Sequence, residues 1–125
     1  MGKTILVVDD NAHIVQVVRH FLERAGYTVH SAQDGIAGLD IVSKEQIDLI
    51  VLDVMMPTLD GYHVCERLKS EEKTASIPVL FLSAKDQPAD HMRGFMAGAN
   101  DYIGKPFSSA ELLDKVTEIL ERKRE

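Results

Sequence analysis

Short runs of apolar, strand-forming residues alternate along the chain with longer stretches in which apolar residues recur every three or four positions. The runs are typical of strands buried on both faces of a sheet, and the recurrence is typical of helices with one buried face. Five such strand-helix units predict an α/β fold, a doubly wound parallel sheet with helices on both faces. The predicted strands are Thr4–Val8, Tyr27–Ser31, Asp48–Leu52, Pro78–Leu82 and Asp101–Ile103. The second is the most polar, which indicates an edge position.

Capping residues mark the boundaries of the first and last predicted helices. Asn11 is a candidate N-cap of the first helix, and Gly26 is placed to end it. Ser108 and Glu111 form a predicted capping box at the start of the last helix. The three middle helices are indicated by apolar residues at helical spacing: Ile36, Leu39 and Val42; Val64 and Leu68; Met92, Phe95 and Met96.

Length, charge and cysteine content narrow the class of protein. A chain of 125 residues is long enough for one hydrophobic core but short for two, so we expect one domain over residues 1–125. The net charge of −6 argues against direct binding of nucleic acid, which requires a basic surface. The single cysteine, Cys65, cannot form an internal disulfide, and the amino terminus lacks the pattern of a signal peptide. Since no apolar segment approaches the ~20 residues that span a bilayer, we expect a cytoplasmic protein without a membrane partner.

Reactive side chains directly follow four of the predicted strands. Asp9 and Asp10 follow the first, Asp53 the third, Ser83 the fourth and Lys105 the fifth. Because ligands of such folds bind at the carboxyl ends of the strands, we expect these side chains to gather at one edge of the sheet. Three neighbouring carboxylates repel one another, and one lysine cannot balance them. A hard divalent cation that prefers oxygen ligands would balance their charge, so the sequence predicts a Mg²⁺ site.

The same set of residues favours phosphoryl chemistry. A hydroxyl and an ammonium group beside a metal can face an anion, and phosphoryl transfer depends mostly on positioning and charge neutralisation. Ser83 has no adjacent histidine to act as its base, whereas a carboxylate needs no deprotonation at neutral pH. We therefore expect an aspartyl phosphate on Asp53.

Four segments resemble, in order and spacing, the response-regulator receiver domain of two-component signalling. They are VVDDN after the first strand, DVMMPTLDG after the third, LSA after the fourth and GANDYIGKPF around the fifth. The resemblance covers essentially the whole chain. It implies a flavodoxin-like (βα)5 fold, like that of the chemotaxis regulators, with strand order 2-1-3-4-5.

The resemblance assigns a role to each acidic residue of the predicted site. It implies that Asp53 is the phosphoacceptor, and that Asp10, Asp53 and the backbone carbonyl of Met55 bind Mg²⁺. Asp9 would act mainly through a metal-bound water.

The resemblance also implies how the phosphoryl group is held and sensed. Lys105 and Ser83 would each contact a phosphoryl oxygen, and a cis peptide bond is expected before Pro106. Ser83 would move toward the phosphoryl group, and Tyr102 would turn into the space that it leaves. The surface of the fourth helix, fifth strand and fifth helix would change as a result, which is a population shift between two states.

Partners follow from the resemblance as well. The phosphodonor would be a histidine kinase or a histidine phosphotransfer protein, and the output a separate effector protein or a fused output domain. A phosphorylation-dependent dimer is a further expectation. However, the family's winged-helix DNA-binding members often pair through acids where this chain has Met96 and Asn100, and through an arginine where it has Lys115.

Two other functions stay open at this point. One is a Mg²⁺-dependent phosphohydrolase that acts on an outside substrate through an aspartyl phosphate, for which the chain offers no insertion to build a substrate pocket. The other is a pseudo-receiver that binds partners without phosphate. The complete set of Asp9, Asp10, Asp53, Ser83 and Lys105 argues against the second. The expected function is a signalling domain and not an enzyme, apart from its own phosphorylation and dephosphorylation.

Overall fold

The computed structural model describes residues 2–124 and the side chains of residues 2–122. Strands and helices alternate along the whole of this range. In chain order they are β1 (Thr4–Val8), α1 (Ala12–Arg24), β2 (Thr28–Ala32), α2 (Gly35–Lys44), β3 (Leu49–Leu52), α3 (Gly61–Ser70), β4 (Val79–Ser83), α4 (Pro88–Met96), β5 (Asp101–Gly104) and α5 (Ser109–Arg124).

The five strands form one parallel sheet with the order β2-β1-β3-β4-β5. The predicted α/β class and strand order are therefore confirmed. β2 lies at an edge, as its polar residues indicate. β1 and β3 are neighbours, with Val8 opposite Leu52, so the residues that follow these strands emerge side by side.

Helices cover both faces of the sheet. One face packs against α1 and α5 through residues such as Val18 and Leu112, and the other packs against α2 and α3 through residues such as Val42 and Val64. The three inner strands, β1, β3 and β4, are almost wholly buried because helices cover both of their faces. The polar side chains of the predicted site instead follow the carboxyl ends of the strands, at one edge of the sheet.

Side-chain caps lie at the two helix starts that the sequence predicts from capping residues. The Asn11 side chain accepts hydrogen bonds from the backbone N–H groups of His13 and Ile14, which confirms the predicted N-cap of α1. The Ser108 hydroxyl accepts from the N–H of Glu111 at 3.0 Å, at the predicted start of α5.

The apolar residues that indicated the fourth helix do not form its buried face. Met92, Phe95 and Met96 are 64%, 50% and 80% exposed. The buried residue of α4 is instead Gly94, which brings the helix backbone against the rings of Phe81 and Tyr102. An interpretation of this helix from its large apolar side chains is therefore wrong about which face packs.

None of the helices in the described range is long and apolar enough to cross a membrane.

Candidate functional site

Three carboxylates meet where β1 and β3 end. Asp9 and Asp10 follow β1, Asp53 follows β3, and each offers an oxygen that lies within 4.8 Å of the others. Asp9 and Asp53 are only 2% and 6% exposed, whereas Asp10 is exposed. The grouping follows from the register that places Val8 beside Leu52. Such a set of oxygen donors suits a hard divalent cation such as Mg²⁺.

Lys105 reaches this group from the end of β5. Its Nζ lies 2.7 Å from Asp9 Oδ2 and 3.7 Å from Asp53 Oδ1. Two features of the backbone place the lysine. Its N–H donates to the carbonyl oxygen of Ser83 at 2.9 Å, and the peptide bond to Pro106 is cis, as the resemblance implies. The ammonium group is thus aimed at the acids and not at solvent.

The charge of Asp53 is only partly compensated. Burial, together with repulsion from the Asp9 carboxylate, raises the pKa of Asp53, and attraction to Lys105 offsets only part of this effect. Asp53 Oδ1 also accepts a hydrogen bond of 2.8 Å from the N–H of Val54. Since the raised pKa reflects an ionised form that is costly to bury here, a further cation at the three carboxylates would stabilise the site. This observation supports the fit to Mg²⁺.

The turn after β1 orients Asp9. Its Oδ1 accepts a hydrogen bond of 2.9 Å from the N–H of Asn11, while its Oδ2 pairs with Lys105. Because Asn11 is the N-cap of α1, Asp9 and Asp10 are not needed to cap that helix. The capping role that their position alone would suggest is therefore filled by another residue.

The loop from Asp53 to α3 is tightly packed at both ends. The N–H of Gly61 donates to the carbonyl oxygen of Val54 at 2.8 Å, and a Cβ atom on Gly61 would overlap the carbonyl oxygen of Asp53. Thr58, in the middle of the loop, has a φ of 72°, which a threonine rarely adopts. Met55, whose carbonyl the resemblance assigns to the metal, is 58% exposed.

Ser83 and Tyr102 lie on adjacent strands beside this site. Ser83 ends β4 and is fully buried, and its hydroxyl oxygen accepts a hydrogen bond of 3.2 Å from the N–H of Lys85. Tyr102, in β5, is 5% exposed, and its hydroxyl donates to the carbonyl oxygen of Lys85 at 2.5 Å. Burial raises the pKa of this hydroxyl, so it stays protonated and able to donate at neutral pH.

His91 and Asp86 lie beside Tyr102, and the sequence does not predict a role for either of them. The ring of His91 stacks on the ring of Tyr102 with centroids 4.3 Å apart, and His91 Nε2 lies 2.5 Å from Asp86 Oδ1. From the sequence, His91 is one of five histidines without shared metal-ligand spacing. Its contact with Tyr102 depends on how α4 packs on β5, and no local pattern signals that packing.

Comparison with known proteins gives the family. The family described as "Response regulator receiver domain" matches residues 5–117, which is most of the chain. The chain belongs to this family: it is a receiver domain of the kind found in two-component response regulators. The resemblance seen in the four sequence segments is thereby confirmed.

Individual relatives agree with this assignment. The chain is 48% identical to the DNA-binding dual master transcriptional regulator RpaA of Synechocystis sp. over 94% of its own length and 49% of that protein. It is 47% identical to the alkaline phosphatase synthesis transcriptional regulatory protein PhoP of Bacillus subtilis, over 98% of its own length and 50% of that protein. The chain thus spans about half the length of each regulator.

A solved structure shows the same fold. The CheY-like response regulator receiver domain protein from Methanospirillum hungatei superimposes with a TM-score of 0.92 at 27% identity, covering 99% of this chain and 98% of that one.

Proposed function

We propose that this receiver domain is a phosphorylatable switch in which Asp53 accepts a phosphoryl group from a phosphohistidine. The donor is a histidine kinase or a histidine phosphotransfer protein. The observation that carries the proposal is the pair of buried carboxylates, Asp9 and Asp53, both of which contact Lys105. Two buried carboxylates are costly to keep ionised unless the site binds positive charge that compensates them.

The proposed reaction moves the phosphoryl group from nitrogen to oxygen. A carboxylate oxygen of Asp53 attacks phosphorus, the bond from phosphorus to the imidazole nitrogen breaks, and the imidazole keeps the electron pair and takes up a proton. Lys105 lies 3.7 Å from Asp53 Oδ1, so its positive charge is available to a phosphoryl oxygen on that carboxylate. The hydroxyl of Ser83, at the end of the neighbouring strand β4, would contact another phosphoryl oxygen.

Mg²⁺ is the proposed metal of this site. Asp10, Asp53 and the backbone carbonyl of Met55 would hold the ion, and Asp9 would act through a metal-bound water. When bound, the ion would neutralise charge on the phosphoryl oxygens. The close approach of the three carboxylates and the raised pKa of Asp53 support this assignment.

The proposed output runs from Ser83 to Tyr102 and on to the surface formed by α4, β5 and α5. Tyr102 is buried in this structure, in the position that we associate with the phosphorylated state. The exposed side chains of Met92, Phe95 and Met96 give α4 an apolar surface for an effector protein or a fused output domain. Phosphorylation-dependent pairing of two copies is a further proposal. Within one chain, Lys115 of α5 already pairs with Asp101 of β5 at 3.0 Å.

Phosphorylation of wild-type protein and an Asp53→Asn variant tests the proposal. We expect acetyl phosphate with Mg²⁺ to add one phosphoryl group to the wild type, visible by intact mass spectrometry and labile to hydroxylamine. Asp53→Asn should remain unlabelled. Asp114→Asn, which removes an exposed acid from α5, is the matched control and should be labelled like the wild type. Equal labelling of the Asp53→Asn protein would contradict the assignment.

A further inference from the structure

His91 joins Tyr102 to the loop between β4 and α4. One face of its ring stacks on Tyr102 with an angle of 23° between the rings, and Nε2 faces the Asp86 carboxylate at 2.5 Å. The same loop contacts Tyr102 directly, through the hydrogen bond from the tyrosine hydroxyl to Lys85 O. Asp86, His91 and Tyr102 therefore form a cluster in which the histidine covers the tyrosine and the aspartate holds the histidine.

The cluster is open to solvent protons on one side. The His91 side chain is 36% exposed and that of Asp86 is 49% exposed, whereas Tyr102 is buried. Protons can thus reach the imidazole without any opening of the fold. Histidine is also the side chain whose charge ordinarily changes between about pH 5 and about pH 8.

The other charged groups near His91 are engaged elsewhere. On α4, Asp90 accepts a hydrogen bond from the N–H of Gln87 at 3.0 Å and lies 3.9 Å from the ammonium of Lys85. Arg93, also on α4, places its guanidinium 4.7 Å from the ring centroid of Tyr62. In the part of the chain that the structure describes, the groups in contact with the imidazole are Asp86, from the loop, and Tyr102, from β5.

Protonation of His91 would strengthen both of its contacts. The bond to Asp86 becomes a charge-assisted ion pair, and the stack on Tyr102 gains a cation–π attraction. We propose that His91 is a positioning residue for Tyr102: its protonated ring, held by Asp86, keeps Tyr102 buried and makes the position of Tyr102 dependent on pH. Acidification would then favour the buried position of Tyr102, and neutral His91 would allow the tyrosine to leave it more often.

The consequence for signalling rests on the proposed function. If buried Tyr102 is the state that phosphorylation favours, protonation of His91 and phosphorylation of Asp53 bias the same equilibrium in the same direction. The two effects are then coupled, and acid pH should raise the fraction of the output-competent state at any level of phosphorylation.

The exposure of Tyr102 can be measured in the unphosphorylated chain. The 125-residue protein is labelled with 3-fluorotyrosine, which reports on Tyr27, Tyr62 and Tyr102, and a Tyr102→Phe variant assigns the third resonance. Broadening of each fluorine signal by a neutral, soluble paramagnetic compound reports solvent exposure. Unlike the chemical shift, this broadening does not respond to a nearby charge as such. The signals of Tyr27 and Tyr62 show that each variant stays folded.

Three variants separate the proposal from simple packing. For the wild type, we expect the exposure of Tyr102 to rise by about two- to fivefold between about pH 5 and about pH 8. This is the change in the equilibrium that follows from the loss of a cation–π contact at a partly exposed site. His91→Gln should show high exposure at every pH. His91→Arg, which stacks and pairs with Asp86 but keeps its charge, should show low exposure at every pH. Asp86→Asn should reduce the wild-type pH response.

The control is His30→Gln, because His30 also lies near a carboxylate, 3.7 Å from Glu45, but belongs to β2 at the opposite edge of the sheet. This variant should respond to pH like the wild type. A wild-type response that is flat, or that persists in His91→Gln, would overturn the proposal, as would an Arg variant no better protected than the Gln variant at about pH 8. No phosphodonor or metal is present, so this result is independent of whether Asp53 is phosphorylated.

Discussion

Lys105 is the residue on which the electrostatic balance of the site depends. Its side chain is 17% exposed and contacts Asp9 and Asp53, whose side chains are 3% and 7% exposed. An ion pair in such surroundings does not add much stability over an apolar pair. Removing one partner, however, leaves the others buried and unbalanced. The lysine is thus needed by the fold even when no phosphoryl group is present.

We predict that Lys105→Met lowers the free energy of unfolding by about 3 kcal/mol in Mg²⁺-free buffer at neutral pH. Methionine retains most of the volume of the lysine stem, so the loss reflects charge and not packing. Urea unfolding measures the change.

Lys44→Met is the control for that measurement. Lys44 also pairs with an acid, Asp40, at 3.1 Å, but the two side chains are 68% and 59% exposed. Its loss should change stability by less than about 0.5 kcal/mol. If the two variants are equally stable, Lys105 does not compensate buried charge.

At the scale of secondary structure, the start of α3 determines where Asp53 sits. The first residue of the helix, Gly61, lies directly against the backbone of Asp53 and is hydrogen-bonded to Val54. A side chain at this position would push the helix away from the end of β3. The sequence places a glycine where a helix and a strand must touch.

We predict that Gly61→Ala lowers the free energy of unfolding by about 2 kcal/mol and slows phosphorylation at Asp53, because the added methyl group overlaps the Asp53 carbonyl. Urea unfolding and the rate of labelling by acetyl phosphate measure the two effects. Gly26→Ala is the control. There a Cβ atom meets nothing within 4 Å, but the φ of 99° makes alanine unfavourable by about 1 kcal/mol. That variant should lose stability without slower labelling.

The sequence was sufficient to predict elements whose pattern is set locally. The predicted ends of each of the five strands lie within one residue of the observed ends. For β1, β3 and β4 the reason is that buried parallel strands are continuous apolar runs. α4 was less predictable, since its buried face is Gly94 and its large apolar residues point outward. A hydrophobic pattern cannot distinguish side chains that pack in the core from side chains exposed on a surface.

The acidic residues of the site can likewise be predicted from the sequence, whereas some of the side-chain contacts cannot. Asp9, Asp10 and Asp53 could be grouped from the sequence because parallel strands end at one edge. Two contacts could not be foreseen, the closer pairing of Lys105 with Asp9 than with Asp53 and the stacking of His91 on Tyr102. Both depend on side-chain positions that arise only when separate elements pack together.

At the scale of the whole molecule, the proposed metal site connects function to folding stability. The pKa of Asp53 is raised above its ordinary value of 3.8, so the folded chain disfavours its ionised form. The contribution of this residue to stability is therefore fully present below pH 3.8 and is lost as the pH rises through the raised value. In Mg²⁺-free buffer, Asp53→Asn should thus gain stability relative to the wild type as the pH rises.

Mg²⁺ should reverse this difference, because the ion binds the ionised carboxylates of the folded chain. At neutral pH and an ion concentration of about 100 times the dissociation constant, the wild type should gain about 2.7 kcal/mol in the free energy of unfolding. Asp53→Asn should gain much less, and Asp114→Asn should gain as much as the wild type. For the wild type the gain should shrink toward about pH 4, where protons compete with the ion for the carboxylates. Urea unfolding with and without Mg²⁺ at both pH values measures all of these changes. An equal gain in the wild type and Asp53→Asn would mean that the stabilising ion binds outside the three carboxylates.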